Sequence, residues 1–305
     1  MKVLVTGGAG FIGSHVVEML VENKNIDIGV LDNLSSGKKE NLDLNKVAFY
    51  EGDINDYTTV ESVIQDFKPQ SVIHLAAQIN VTASIEDPLH DGQTNIVGTL
   101  NLLEAARTKS VNKIVFASSA AVYGNPSYLP IDEKHKTNPL SPYGLSKYTV
   151  EKYLELYADM FNINYTVLRY SNVYGPRQDA HGEGGVVAIF NDLIKHGKQI
   201  EIHGDGTQSR DFVFVKDVAQ ANYQALTHGD NMTLNVSSNG STTVNDLVEL
   251  FKKYSQNEIR GVNHTEPRPG DIEHSVLNNT EAKSVLKWEP AYTLDNGIQK
   301  LISND

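Results

Sequence analysis

Residues 2–17 read KVLVTGGAGFIGSHVV, and this run predicts how the fold begins. An apolar strand leads into a turn containing Gly7, Gly10 and Gly13, after which the pattern becomes helical. Glycines at this spacing allow a tight turn, a close approach of the backbone to a pyrophosphate, and close packing of the helix on the sheet. Asp32 ends the next predicted strand, at about the separation expected for a carboxylate that binds an adenosine ribose. The run therefore predicts a dinucleotide-binding α/β fold.

A phosphate-binding P-loop is the competing interpretation of the same glycines. It fails because Ser14 stands where the phosphate-binding lysine belongs. A glycine-rich turn that binds nothing is the other alternative. Asp32 favours NAD over NADP because a carboxylate repels a 2′-phosphate, although Lys38 and Lys39 lie close enough in sequence to oppose that effect.

Short apolar runs alternate with helical periods over the first 170 residues. Each apolar run is nearly continuous, as in parallel strands that are covered on both faces. The pattern predicts a Rossmann-type doubly wound parallel sheet. Predicted strands cover residues 2–6, 27–32, 47–50, 71–75, 113–118 and 165–169, and predicted helices cover 11–23, 58–67, 89–108 and 143–161.

The regular alternation ends near residue 170. Residues 174–185 (YGPRQDAHGEGG) have no period and are typical of a loop beside a site. Residues 217–236 look like one more helix and strand that return to the main sheet. We predict that residues 1–170 and 217–240 form the NAD-binding Rossmann domain, and that residues 171–216 and 241–305 form a smaller mixed α/β lobe that binds the substrate.

The composition limits the possible functions. The formal net charge of −12 argues against a dedicated surface for nucleic acid or an anionic membrane. The absence of cysteine excludes disulfides, thiolate catalysis and cysteine-based zinc sites, and we expect no metal. No apolar run approaches the roughly 18–20 residues that cross a bilayer, and the start does not resemble a signal peptide. We therefore expect a cytoplasmic protein.

A tyrosine and a lysine four residues apart form the candidate catalytic pair. Tyr143 and Lys147 lie at the start of a predicted helix, so their side chains share one face. Free tyrosine has a pKa near 10, and a nearby ammonium favours its phenolate form. The fifth predicted strand runs into Ser118-Ser119, which supplies a hydroxyl at the same edge of the sheet.

A second pair repeats this spacing. Tyr148 and Lys152 lie five residues later, about 140° around the helix from the first pair, so only one pair can face a cofactor. The second pair shares its segment with Glu151 and Glu155, a run typical of a solvated or partner-facing surface. We therefore predict that Tyr143 is the catalytic base.

The remaining motifs form one pattern that extends over essentially the whole chain. They are TGGAGFIGS (6–14), DNLSSG (32–37), SSAAVYG (118–124), SPYGLSK (141–147), LRYSNVYG (168–175), GDGTQSRDFVFV (204–215) and RPGD (268–271). This pattern resembles the extended short-chain dehydrogenase/reductase family, and within it the UDP-glucose 4-epimerases (UDP-galactose 4-epimerases).

The resemblance implies roles for the residues that match the family's motifs. The implied catalytic triad is Ser119, Tyr143 and Lys147. The implied NAD contacts are Gly7, Gly10, Phe11, Ile12, Gly13, Asp32, Asn33, Ser35, Ser36, Gly37, Asp53, Ile54, Leu75, Ala76, Ala77, Gln78, Asn95, Tyr143, Lys147 and Tyr170. The implied UDP-sugar contacts are Ser119, Tyr143, Asn172, Val187, His203, Arg210, Arg268, Asp271 and Ser275.

The implied reaction is the reversible C4 epimerisation of a UDP-hexose through a transient 4-keto sugar, with tightly bound NAD. Ser119 is followed by Ala120 and Ala121, where family dehydratases carry an Asp-Glu pair and decarboxylases a Glu. This favours epimerisation over elimination. Another NAD-dependent nucleotide-sugar epimerase, a 4-reductase or a dehydratase remains open, as does a non-catalytic NAD-sensing protein.

Substrate range and assembly also follow from the resemblance. Ser275 stands four residues after Asp271, where family members that exclude N-acetyl sugars carry a bulky aromatic residue. Its small side chain predicts that UDP-GlcNAc and UDP-GalNAc are accepted beside UDP-glucose and UDP-galactose. The predicted helices 89–108 and 143–161 correspond to the family's dimer interface, which implies a homodimer.

Overall fold

The computed structural model describes residues 1–109, 111–180, 185–257, 259–267 and 272–303. The strands are β1 Lys2–Thr6, β2 Asp27–Asp32, β3 Ala48–Glu51, β4 Ser71–His74, β5 Lys113–Ser119, β6 Asn164–Tyr170, β7 Asn172–Tyr174, β8 Ile200–His203, β9 Ser209–Arg210, β10 Phe212–Phe214, β11 Met232–Val236, β12 Thr242–Thr243, β13 Val262–Thr265 and β14 His274–Ser275. The helices are α1 Phe11–Val21, α2 Tyr57–Phe67, α3 Val81–Glu86, α4 Pro88–Gly92, α5 Gly98–Thr108, α6 Pro142–Phe161, α7 Val186–Lys195, α8 Val215–Ala225, α9 Val244–Tyr254, α10 Thr280–Leu286 and α11 Leu294–Ser303.

Within the described residues, seven parallel strands form one sheet in the order β11-β6-β5-β4-β1-β2-β3. Successive side chains alternate between its faces, so Val3 and Val5 join the apolar cluster on one face while Leu4 joins the cluster on the other. The predicted doubly wound sheet is confirmed. Because the strand order reverses between β1 and β4, a crevice opens there at the carboxyl edge, where such sheets bind ligands.

The predicted helix 89–108 is confirmed as one helical run from residue 88 to residue 108, which contains a π-helical turn that the sequence did not predict. Asp87 caps a new helix by accepting the His90 N–H at 3.0 Å, and Pro88 occupies the first position of α4. A π-helical turn at Gln93–Val97 then joins α4 to α5 within the same helical run. Such turns occur mostly as local insertions and frequently at functional sites.

Helix α6 carries the candidate catalytic pair and has a well-defined start. The Ser141 side chain accepts the Gly144 N–H at 3.1 Å, and Pro142 occupies the first turn. Tyr143 therefore lies in the first turn and Lys147 one turn later, beside the carboxyl edge of the sheet. In the part of the chain that the structure describes, no helix combines the length and apolar character needed to cross a lipid bilayer.

The remaining strands build small sheets beside the large one. They pair β7 with β10, β8 with β13, and β9 with both β12 and β14. A separate apolar cluster, which contains Phe190, Phe214 and Phe251, fills the space between them and α7, α9 and α11. From the C-terminal region, Leu286 and Trp288 pack instead in a cluster of the large sheet, and the Trp288 indole N–H donates to the Asp217 carbonyl at 2.9 Å. The predicted division into two regions stays a prediction.

Candidate functional site

A cavity of ≈ 330 Å³ occupies the crevice at the carboxyl edge of the sheet. Most residues that the sequence assigned to NAD or catalysis line it together. They are Gly7, Gly10, Phe11, Ile12, Gly13, Asp32, Asn33, Ser35, Ser36, Gly37, Asp53, Ile54, Leu75, Ala76, Ala77, Ser119, Tyr143, Lys147 and Tyr170, with Asn172 and Val187 from the substrate set.

Two positions of the glycine turn tolerate no side chain, because a Cβ there would collide with the protein's own backbone. Gly7 has a φ of +69°, and a Cβ there would lie 2.7 Å from the Ala76 nitrogen. A Cβ on Gly13 would lie 2.0 Å from the Gly7 carbonyl oxygen. Helix α1 begins after Gly10 with no side-chain cap, so its first N–H groups and positive dipole end are available to phosphate oxygens.

Asp32 is held firmly at the adenosine end of the cavity. Its carboxylate is 6 % exposed and accepts the Ala9 N–H at 2.9 Å and the Leu34 N–H at 2.8 Å. Lys39 turns away and pairs with Glu51 at 2.7 Å. The fixed carboxylate and the uncapped helix together fit NAD, as the sequence predicts.

The candidate base and its cation lie against each other inside the cavity. The Lys147 ammonium is buried, donates to the Ala117 carbonyl at 2.9 Å, and lies 5.9 Å from the centroid of the Tyr143 ring. Burial lowers the pKa of Lys147 to about 8, although the Asp91 carboxylate partly opposes this shift. Lys147 therefore remains mostly protonated at pH 7, and its charge favours the Tyr143 phenolate.

Ser119 presents its hydroxyl at the end of β5. Its side-chain oxygen accepts the Ala121 N–H at 3.2 Å in a short 3₁₀ turn. That contact uses one lone pair and fixes the rotamer, so the Ser119 O–H proton can be donated to an oxygen in the cavity.

The second Tyr–Lys pair lies elsewhere. Tyr148 does not line the cavity, and Lys152 is half-exposed and pairs with Glu155 at 2.7 Å. The prediction that Glu151 belongs to the same solvated surface is wrong. Glu151 is 1 % exposed and forms an ion pair with Arg169. Successive residues of a helix point about 100° apart, so Glu151 lies on the inner face although its neighbour Lys152 faces solvent.

Gln78 and Asn95, which the sequence assigned to NAD, are not among the residues that line the cavity. The Asn95 amide oxygen accepts the Gln78 N–H at 2.8 Å, and its nitrogen donates to Ser146 Oγ at 3.1 Å and to Asp91 at 3.0 Å. This network ties the π-helical turn to α6. Across the described part of the chain, no cluster of His, Asp or Glu side chains could hold a metal ion.

Of the remaining substrate candidates in the described residues, His203, Arg210 and Ser275 lie outside the cavity lining. Arg210 on β9 is paired in register with Ser275 on β14, so these two candidates are neighbours on one small sheet. His203 ends β8 and contacts Thr265 Oγ1 at 2.9 Å. Arg268 and Asp271 lie outside the described residues.

Sequence reasoning missed several residues of the lining, among them Thr94, Gln178 and Phe212. Gln178 falls in the segment predicted to be a loop beside the site, of which residues 181–184 lie outside the described chain. Thr94 belongs to the π-helical turn, whose i+5 spacing no amphipathic pattern reveals. Phe212 follows Arg210 in a matched motif, and its position there was the available signal.

Several solved structures with the same fold are named as epimerases of UDP-sugars. The chain is 45 % identical to a UDP-glucose 4-epimerase of Thermotoga maritima solved with UDP-glucose, with a TM-score of 0.96 over 99 % of this chain and 98 % of that one. It is 40 % identical to a Thermus thermophilus UDP-glucose 4-epimerase solved with NAD, with a TM-score of 0.94 over 99 % and 98 %. It is 35 % identical to a Methanobrevibacter ruminantium UDP-N-acetylglucosamine 4-epimerase in complex with UDP-N-acetylmuramic acid, with a TM-score of 0.93 over 99 % and 97 %.

The match to a protein family agrees with the geometry. A model described as the NAD dependent epimerase/dehydratase family matches residues 3–237, a stretch that includes the glycine turn, the Tyr143–Lys147 pair and Ser119. The resemblance noted in the sequence is thereby confirmed, and so is NAD as the cofactor. The turn that cradles a diphosphate, the buried lysine beside a tyrosine and the matched model lead to one conclusion: the chain belongs to the NAD-dependent epimerase/dehydratase family.

Proposed function

We propose that the protein reversibly inverts C4 of a UDP-hexose, converting UDP-galactose and UDP-glucose into each other. One observation carries this proposal: Ser119, Tyr143 and Lys147 line the same cavity as the NAD-binding turn. The relatives named UDP-glucose 4-epimerase, which match nearly the full chain, support it. When bound, NAD supplies a reversible hydride acceptor, so the net reaction consumes no oxidant.

The side chains have distinct tasks in this reaction. Tyr143 removes the proton from the sugar 4-hydroxyl through its phenolate oxygen and returns it after the sugar has turned over. The positive charge of Lys147 stabilises the phenolate form of Tyr143 relative to the neutral phenol. Ser119 donates a hydrogen bond to the same sugar oxygen, which holds it in place as the carbonyl forms.

The residues after Ser119 favour epimerisation over its rivals. Ala120 and Ala121 carry no group that can transfer a proton, so they do not assist elimination of water. Epimerisation of another nucleotide sugar is the second candidate, and the relative named UDP-N-acetylglucosamine 4-epimerase favours it.

A panel of UDP-sugars tests the proposal. The purified protein should convert UDP-galactose into UDP-glucose without added NADH. Tyr143→Phe should lower kcat by at least about 10²-fold, because it removes the base, while leaving NAD bound. Tyr148→Phe is the matched control and should keep wild-type kcat. Equal losses in the two variants would contradict the assignment of Tyr143.

We propose that Arg210 and Asn172 hold the UDP part of the substrate, and that Ser275 leaves room for a 2-acetamido group. The pairing of Ser275 with Arg210 supports the second assignment, because it places the small side chain beside a candidate phosphate ligand. Ser275→Tyr should selectively slow the conversion of UDP-GlcNAc to UDP-GalNAc. A loss of the same size with UDP-glucose would rule out this role. The assignments of Val187, His203, Arg268 and Asp271 also remain proposals.

We also propose that the protein is a homodimer. Apolar side chains on α3, α4 and α6 are exposed, including Leu89 at 84 %, Ile85 at 61 % and Met160 at 60 %. Exposed apolar side chains grouped on neighbouring elements are typical of an interface. The cytoplasmic location expected from the sequence stays a prediction.

A further inference from the structure

A buried ion pair behind the catalytic edge has no task in the reaction described above. Arg169 Nε donates to Glu151 Oε1 at 2.9 Å and Nη2 donates to Oε2 at 2.5 Å, with the two residues 5 % and 1 % exposed. Burial by itself lowers the pKa of Arg169, but its hydrogen bonds to Glu151 and the charge of that carboxylate raise it above its usual value. Since the desolvation of two charges often cancels their attraction, stability alone is a weak reason for such a pair.

The pair holds both ends of the turn that carries Ser119. Ser118 Oγ donates to Glu151 Oε1 at 2.6 Å on the strand side. On the far side, Arg169 Nη1 donates to the Tyr123 hydroxyl at 2.9 Å. The Tyr123 hydroxyl in turn donates to Asn235 Oδ1 at 2.7 Å, which anchors the turn to β11.

The same pair also fixes α6 against β5. Glu151 lies one helical turn after Lys147, and the two side chains bond to consecutive residues of the strand. Lys147 reaches the Ala117 carbonyl, and Glu151 accepts from Ser118. Two anchor points one turn apart prevent the helix from sliding or rotating along the strand.

We propose that the Glu151–Arg169 ion pair is a positioning device, which sets the Ser119 hydroxyl relative to the Tyr143 phenol through Ser118 and Tyr123. This inference rests on the proposed function, in which both groups act on one sugar oxygen. A small error in that geometry affects the transition state more than substrate binding, so it should lower kcat and leave KM nearly unchanged.

Two variants cut the links and keep the ion pair. Ser118→Ala removes the hydrogen bond on the strand side, and Tyr123→Phe removes the one on the far side. Each should lower kcat by about tenfold with KM within about twofold of wild type. These variants are sharper than Glu151→Gln, which leaves a buried guanidinium without its countercharge and threatens folding.

Matched controls remove similar hydroxyls elsewhere. Tyr157→Phe removes the donor to Glu104, a bond of 2.5 Å between the buried face of α6 and α5. Thr166→Val removes the donor to the Gly229 carbonyl, a bond of 2.7 Å on β6. Urea denaturation should show comparable losses of stability in all four variants, while kcat falls only in Ser118→Ala and Tyr123→Phe. If kcat of Ser118→Ala and Tyr123→Phe does not differ from kcat of the two control variants, the inference is overturned.

Amide hydrogen exchange gives a readout that needs no substrate. In Ser118→Ala and Tyr123→Phe, the amides of residues 118–123 should exchange faster than in wild type, whereas the controls should leave them unchanged. If wild-type protein interconverts no UDP-hexose, the proposed function fails and exchange alone decides the inference. Faster exchange confined to this turn then supports it, and unchanged exchange overturns it.

Discussion

Lys147 combines two opposing demands in one side chain. The reaction needs its ammonium charged beside Tyr143, yet the ammonium is fully buried and its pKa falls from 10.5 to about 8. A lowered pKa means that the folded protein holds the charged form less favourably than the unfolded chain does. The catalytic cation should therefore reduce stability, as active-site groups often do.

Lys147→Met should stabilise the NAD-free protein at pH 7 while abolishing activity. The lowered pKa of Lys147 corresponds to a destabilisation of about 3 kcal/mol, which the substitution removes. The substitution also removes the hydrogen bond to Ala117, which contributes about 1 kcal/mol, so we expect the free energy of unfolding to rise by about 2 kcal/mol. The gain should shrink as pH rises from 8 towards 10.5, because there the unfolded chain binds more protons than the folded one. Urea denaturation across this range measures it, with Lys152→Met as the exposed control. A less stable Lys147→Met at pH 7 would contradict the argument.

The functional residues that could be predicted from the sequence are those whose relation to one another depends only on neighbouring positions in the chain. Tyr143 and Lys147 share a helix face, and the glycine turn follows from consecutive residues. Glu151 was misjudged because its partner Arg169 lies on another strand, and a local charge pattern carries no information about that contact. Gln78 and Asn95 stand at matched positions, yet neither lines the cavity, and Asn95 belongs to the π-helical turn.

At the scale of elements, His74 joins two strands and a helix. The Thr99 hydroxyl donates to the Asn95 carbonyl at 2.6 Å, so it must accept the His74 Nε2–H at 2.9 Å. His74 Nδ1 therefore carries no proton and accepts the Thr6 hydroxyl at 2.6 Å. Burial first, and the charge of Lys147 second, lower the pKa of His74 to about 3. A second ring proton would displace the Thr6 donor.

Acid should therefore weaken this junction between β1, β4 and α5. Since the pKa of His74 is about 3 in the folded state and 6.5 when unfolded, its contribution is complete above pH 6.5 and falls as pH drops below that value. Between pH 7 and pH 5 the loss is about 2 kcal/mol. His74→Asn should flatten the pH dependence of urea unfolding by this amount, whatever its stability at pH 7. Substitution of the exposed His196 by Asn is the control and should leave the dependence of the unfolding free energy on pH as in wild type. The same wild-type dependence in His74→Asn would contradict the assignment.

Strands were the easiest elements to predict, because continuous apolar runs bounded by turn residues mark them. Each predicted strand end either coincides with the structure or differs from it by one residue, as between residues 47–50 and Ala48–Glu51. The helix 89–108 was predicted, but the π-helical turn inside it was not, because an i+5 turn keeps the helical period nearly intact. The small paired strands β9, β12 and β14 span two residues each, too short for any period.

At the scale of the whole molecule, one face lacks a partner within the described chain. On α6, Leu145, Leu156 and Met160 lie within about 60° of one another, beside exposed Ile85 and Leu89 of the neighbouring short helices. A second copy of the chain could cover this face through the same surface, as two-fold dimers do.

Leu89→Asp should convert a dimer into a monomer. A charge placed in the middle of an apolar interface loses its hydration on association, which costs several kcal/mol. Sedimentation equilibrium should give twice 33.6 kDa for wild type and the single-chain mass for the variant. Leu44→Asp changes an apolar side chain of 47 % exposure in the loop before β3, outside the proposed interface helices, and should leave the dimer intact. A wild-type monomer would exclude the dimer directly.

Trp288 has an optical consequence. It is the only tryptophan of the chain, it is 3 % exposed, and its indole bonds to the start of α8 while it packs against the large sheet. When excitation is at the long-wavelength edge, where only tryptophan absorbs and the fourteen tyrosines do not, the emission therefore originates at one known junction, where the C-terminal segment docks on the Rossmann sheet. Intrinsic fluorescence thus reports the docking of that segment without any label, and each denaturation experiment described above can be followed at a single defined position.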